Sequence, residues 1–301
     1  MTRARGRALT VLAWGAALVV PLCVGALLAS IVARGLPALR LELFFDDVPP
    51  LDAVLARRPV WDGAWPAVVG TVSLLVVTMA LAVVPGVACG AWLACFASPK
   101  ERERIGACVD TLAGVPSIVM GLFGLEVIIA LRRTFMPQGT TCLLLAALCL
   151  AILVMPVLVG ATRAALEALP PQLSLTGAAL GMSRAQTVRR LLIPAAGPGI
   201  LGGAVLAMGR AMEDTAVIML TGAVANAGLP AGLGAKFEAL PFKIYHIAAQ
   251  WTGPEDLARG FGSALALLIL SGTLLTCARV LQARLARRWR GATSRGGARH
   301  V

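Results

Sequence analysis

Long uncharged apolar runs set the layout of this chain. No Asp, Glu, Lys or Arg occurs over residues 8–33, 63–99, 134–162 or 260–278. A hydrocarbon core about 30 Å thick needs about 20 mostly apolar residues of helix, so each run is long enough to cross one. The first exceeds the roughly 7–15 apolar residues of a secretory signal and reads as an uncleaved span. The others place spans at about 67–95, 140–163 and 258–282. Two further candidates carry charge. One, at about 106–131, has Asp110 and Glu126 close to its ends; the other, at about 199–222, is interrupted by Arg210, Glu213 and Asp214. The pattern predicts an all-α, polytopic membrane protein of six transmembrane helices.

Composition agrees. Of 301 residues, 58% are hydrophobic and 14% charged, and the mean hydropathy is +0.83. Soluble domains sit near about 45–50% and about 25%, and disordered chains are far more polar. A water-soluble enzyme and a disordered chain are therefore excluded. The net charge of +12 reflects membrane topology rather than a nucleic-acid partner. With the N-terminus inside, seventeen of the 27 Lys and Arg lie on inside segments and nine on outside ones. By the positive-inside rule both termini are expected in the cytoplasm of a bacterial inner-membrane protein; Arg132 and Arg133 run against it. The seven cysteines form no CxxC pair and the only histidines are His246 and His300. That argues against a disulfide framework or a metal site, and no cofactor is expected.

Two connections are long. Residues 34–66 form an outer loop with Asp46, Asp47, Pro49 and Pro50, and residues 164–198 form an inner loop. The chain divides into an N-terminal span with its loop (1–66), a transmembrane unit (67–282) and a basic cytoplasmic tail (283–301). The tail is expected to be disordered, anchoring topology or lying on anionic lipid headgroups. The outer segment 223–256, with Lys236, Lys243, Tyr245 and Trp251, reads as a re-entrant or surface helix.

The inner loop carries the first functional signal. Residues 175–180, including Ala178 and Ala179, read as a short helix, and Gly181 permits a turn. Ser183 and Gln186 have capping-box spacing, which starts a second helix at Arg184. Pro194 and Pro198 are expected to end it. Such an elbow either lies on lipid or docks another protein. The segment resembles the coupling-loop signature of bacterial ABC importer permeases, EAA-x3-G-x9-I-x-L-P. Gly181 and Pro194 keep its spacing, while Leu175, Thr176 and Gly177 stand at its Glu-Ala-Ala positions.

The second signal is the charged span. Arg210 lies about 16 Å past the span's start at about 1.5 Å per residue, near mid-bilayer. Glu213 and Asp214 follow at three and four residues, which predicts one helical face. A bare charge at that depth costs at least about 2.5–3.5 kcal/mol, so the group should pair and face the bundle interior or a wet pathway. The cluster is either a packing lock or an anion gate in which Arg210 exchanges a carboxylate for a substrate oxyanion.

Arg210, Thr215 and Ala216 in RAMEDTA resemble the R-A-x-G-E-T-A motif of phosphate importer permeases, with Glu213 for glycine and Asp214 for glutamate. LAGVPSIVMGLFG (112–124) and ALPFKIYHIA (239–248) resemble two more of its segments, the last favouring the PstA type. In the former, Gly114, Pro116, Ser117 and Gly121 predict a broken helix that lines a cavity or packs in a crossing.

The resemblance implies a type I ABC importer permease fold and a phosphate pathway through Arg210, Glu213, Asp214 and Thr215. It implies a second homologous permease, cytoplasmic ATP-binding subunits and a periplasmic phosphate-binding protein, all beside membrane lipid. No P-loop occurs in the chain, so the permease itself is not expected to be an enzyme. Another oxyanion (phosphonate or sulfate), an ATP-independent secondary carrier and a non-transporting scaffold are the alternatives.

Overall fold

The computed structural model describes residues 2–134 and 137–297. The fold is built from α1 (Thr2–Gly35), α2 (Trp65–Cys95), α3 (Pro99–Ala113), α4 (Ser117–Thr134), α5 (Leu143–Glu167) and α6 (Pro171–Ala179). It continues with α7 (Arg184–Glu213), α8 (Ala216–Thr221), α9 (Leu240–Gln250) and α10 (Pro254–Gly297). Among the described residues, five helices are long and apolar enough to cross a membrane: α1, α2, α5, α7 and α10. A sixth crossing exists if the bent pair α3–α4 is one span.

The centre is α5. Two thirds of its apolar stretch (67%) is buried by protein, whereas none of that of α1 is. Leu150, Val154 and Leu158 of α5 are fully buried, and α2 and α7 pack along it. Lipid tails are as apolar as leucine, so such helices are held by close van der Waals packing and small residues. A Cβ on Gly90 of α2 would fall 2.7 Å from Val159 O, and one on Gly203 of α7 2.3 Å from Ala161 Cβ. By contrast, α1 packs mainly against α10, where the Arg34 guanidinium lies 5.2 Å over the Phe261 ring.

One sequence expectation is sharpened and two are corrected. The span expected at 106–131 is two helices bent by 95°. Pro116 has no N–H and disfavours helix at Val115, so the chain breaks there. The six charges of α3 would also be costly in lipid. At Pro194, by contrast, the elbow helix does not end. A π-turn at Val188–Leu192, with Ile193 N donating to Val188 O, carries the helix through Pro194 and Pro198. The wider turn gives the proline ring room within a helix. Finally, the tail expected to be disordered continues as helix to Gly297; residues 298–301 lie outside the described residues.

The two ends of the bundle differ. At one, called here the elbow end, α2, α5, α6 and the start of α7 meet. At the other, the loop end, residues 222–239 cap α5. Cys142, Leu143 and Leu144 donate their amides to Thr221, Ala235 and Leu233 carbonyls at 2.9–3.0 Å. These bonds satisfy helix-terminal donors that no side chain caps.

Candidate transport pathway and coupling surface

The charged span is broken where its acids lie. The helix α7 stops at Glu213, and Asp214 is extended (φ −81°, ψ 109°). Its Oδ1 accepts from the Val217 amide at 2.9 Å, in the first turn of α8. That bond takes Asp214 off the face it was expected to share with Arg210. Among the described residues no ion pair joins Arg210 to Glu213 or Asp214, which corrects the predicted pairing. Both Arg210 and Glu213 are exposed, and Asp214 and Thr215 are half-buried.

Arg210 and Glu213 line an open groove of about 890 Å3 between α7 and α10. Its other polar residues are Arg279 and Gln282 of α10; Val205, Leu206 and Leu275 supply apolar wall. Gln282 Nε2 donates to Pro198 O at 2.8 Å, and Leu275 lies against Gly209. The two helices therefore run antiparallel along the groove, with Arg279 nearer the elbow end than Arg210.

The residues of the broken third span divide. Gly121 of α4 is buried against α8: a Cβ there would sit 3.1 Å from Ala216 O and 3.2 Å from Val217 Cα. The two helix breaks are thus joined through the α4–α8 crossing. Gly114 and Pro116 are exposed and Ser117 is half-buried, and none of the three lines the Arg210 groove.

The elbow has the predicted turn and cap. Gly181 adopts φ +69°, where a side chain would be strained. Ser183 and Gln186 form both bonds of a capping box, at 3.3 and 2.9 Å. Inside the elbow, Gly177 is pressed against Thr187. Outside it, Leu175 and Leu180 are 68% and 70% exposed, while Ala178, Ala179, Ser183, Arg184 and Gln186 are also exposed and Pro194 is half-buried. The Arg184 guanidinium lies 5.4 Å over the Phe96 ring just past α2. This ties the elbow to the bundle.

Residues 86–291 match the family described as binding-protein-dependent transport system inner membrane component. The chain belongs to that family. Among its relatives is the probable ABC transporter permease protein YqgI of Bacillus subtilis (strain 168). That protein is 32% identical over 231 residues, 72% of this chain and 74% of the relative. The phosphate transport system permease protein PstA 1 of Mycobacterium tuberculosis (strain CDC 1551 / Oshkosh) is 32% identical over 223 residues, 73% of this chain and 70% of that one. PstC 1 of Mycobacterium bovis (strain ATCC BAA-935 / AF2122/97), also a phosphate transport system permease protein, is 30% identical over 251 residues, 75% and 73% of the two chains. The fold is shared with a chain of the MetNI methionine ABC transporter in an inward-facing conformation. The TM-score is 0.56 at 19% identity, covering 80% of this chain and 99% of that one. The expected type I ABC importer permease fold is therefore present, and this inner-membrane component is a multi-pass ABC importer permease.

Four features of this family member escaped sequence reasoning. Arg102 donates to the terminal carbonyls of Leu93 and Ala94 on α2 and lies 3.6 Å from Glu167, which also pairs with Arg163 at 2.9 Å. The clip satisfies helix-end carbonyls with a cation; its signal was the Ser98–Glu101 capping box that starts α3 beside it. At the loop end, Glu238 is 2% exposed and lies 3.8 Å from Lys243. Lys243 Nζ also donates to Asp62 and Gly63 carbonyls, and Glu238 accepts from Gly228 N. Burial pushes the Glu238 carboxyl above its ordinary range and the Lys243 ammonium below its own. The Gly177–Thr187 crossing and the place of Arg279 on the Arg210 groove were the other two.

Proposed function

We propose that this permease forms the pathway by which inorganic phosphate crosses the inner membrane, driven by ATP hydrolysis on a separate subunit. The observation that carries the reading is Arg210. It is a guanidinium in the last turn of the apolar span α7, just before the break at Asp214, and among the described residues it has no carboxylate partner. An unpaired guanidinium on an apolar span is costly unless a wet pathway or an anion meets it. Its planar fork suits a phosphoryl oxyanion. The printed names of PstA 1 and PstC 1 support phosphate.

In this reading a second homologous permease covers the Arg210 groove. Arg210, Glu213, Asp214 and Thr215 line the route, and the break at Gly114, Pro116, Ser117 and Gly121 lets α4 and α8 shift together. The elbow end faces the cytoplasm, as do both termini, and the exposed face around Leu175, Ala178, Ala179, Gly181, Ser183, Arg184, Gln186 and Pro194 receives an ATP-binding subunit. The loop end faces a periplasmic phosphate-binding protein, and lipid surrounds α1. Residues 67–282 are the transport unit, flanked by the first span and the basic tail.

One observation favours a second reading: Glu213 and Asp214 replace the Gly-Glu of the phosphate motif, which points to a related oxyanion such as phosphonate. The test is uptake of labelled phosphate by proteoliposomes holding the complete complex and its binding protein. ATP-dependent phosphate uptake is expected. Equal uptake without the ATPase would mean a secondary carrier, and uptake of phosphonate alone would mean the second reading.

A further inference from the structure

Glu213 has no counterpart in the phosphate motif and, among the described residues, no ion pair, yet it shares a groove wall with Arg210. Both side chains are exposed on α7 one turn apart. The groove around them is walled largely by Val205, Leu206 and Leu275, so water screens their charges less than in bulk. The neighbouring Asp214 is committed, through Oδ1, to the Val217 amide. Any oxyanion that docks on Arg210 therefore meets, one turn further along the same groove wall, a carboxylate with no ion-pair partner among the described residues.

We infer that Glu213 is a specificity-determining residue that admits only oxyanions carrying an O–H. The inference rests on the phosphate-pathway reading and deepens it. The chemistry is that of donors and acceptors. An ionised carboxylate only accepts hydrogen bonds. Hydrogen phosphate, hydrogen arsenate and alkylphosphonate monoanions keep an O–H at neutral pH and donate it to Glu213 while their remaining oxygens accept from Arg210. Sulfate has no proton to offer at that pH. Its oxygens would oppose the Glu213 oxygens with nothing between them, so both the repulsion and the missing hydrogen bond count against it. A site built to accept from a ligand hydroxyl rejects the analogue that lacks one more strongly than an apolar pocket rejects a change in size. Arg279, further along the groove toward the elbow end, attracts all these anions alike and supplies no discrimination.

The experiment titrates the purified permease–ATPase complex with phosphate, arsenate and sulfate by calorimetry at neutral pH. The binding protein is left out, because its own selectivity would mask that of the membrane site. Wild type is expected to bind phosphate and arsenate at least about tenfold more tightly than sulfate, the scale of one hydrogen bond to a charged group. The amide of Glu213→Gln both donates and accepts, so that variant should bring sulfate to within about threefold of phosphate. Glu213→Asp should keep the preference, and Arg210→Gln should abolish binding of all three. Equal binding of sulfate by wild type, no oxyanion binding at all, or an unchanged ratio in Glu213→Gln would each overturn the inference. Loss of ATP-dependent phosphate uptake in wild-type proteoliposomes would overturn the underlying reading instead. Uptake that stands beside an unmoved ratio removes the filter alone.

Discussion

The elbow gives the sharpest test of packing. In place of the signature alanine it has Gly177, and the structure supplies the reason. A Cβ at Gly177 would lie 2.6 Å from both Thr187 Cγ2 and Thr187 Oγ1. Thr187 cannot easily turn aside: it is buried, β-branched, and its hydroxyl donates to Ser183 O at 3.1 Å. Overpacking of this kind costs about 1–3 kcal/mol. Replacing glycine by alanine within a helix returns about 0.8–1.0 kcal/mol. Gly177→Ala should therefore loosen the α6–α7 crossing by about 0–2 kcal/mol, up to roughly a thirtyfold rise in the open elbow. Thr187→Ala removes both clashing atoms, so Gly177→Ala/Thr187→Ala should recover most of the loss. The assay is hydrogen exchange of α6 amides, read beside the affinity of the permease for its ATP-binding subunit. Protection above wild type in Gly177→Ala, or a double variant less protected than the single one, would refute the reasoning.

Other consequences follow from the ends of the bundle. Lys243→Met strands Glu238 in a buried site and should cost about 3–5 kcal/mol of thermal stability, with Glu238→Gln/Lys243→Met recovering part of it. The sign with pH is fixed. Glu238 titrates above its unfolded value, so its protonated form favours folding, and the Lys243→Met deficit should shrink as the buffer is taken from about pH 8 to about pH 5. A deficit that grows on acidification would contradict this. Arg102→Met should free the Leu93 and Ala94 carbonyls and Glu167, lowering the melting temperature by a few degrees for about 1 kcal/mol lost at this half-exposed site. An unchanged melting curve would show that the clip contributes nothing.

Much of this was legible in the sequence because lipid imposes simple rules. The uncharged runs located α2, α5 and α10 closely, since a span must be long, apolar and helical. The Gly181 turn and the Ser183–Gln186 cap were also legible, because both are local. What escaped was nonlocal or hinged on competition. Pro116 breaks its helix as expected, but Pro194 and Pro198 do not, and the π-turn that precedes Pro194 is one that no residue pattern announces. Asp214 sits one turn from Arg210 in sequence, yet the Val217 amide wins its carboxylate. Glu238 and Lys243 are close in sequence, but their burial depends on the Asp62–Gly63 loop folding over them from far away. Gly177 read as a departure from a signature until Thr187 was seen to fill the space.

The central claim is that an unpaired guanidinium on α7 conducts the transported anion. It is tested most directly by the initial rate of ATP-driven phosphate uptake in proteoliposomes for wild type, Arg210→Lys and Arg210→Gln. Two charge-assisted hydrogen bonds together contribute about 3 kcal/mol, so Arg210→Gln should fall by roughly 100-fold. Arg210→Lys keeps the charge without the fork and should fall in between. Uptake by Arg210→Gln within about twofold of wild type, in a complex that still assembles, would contradict the claim.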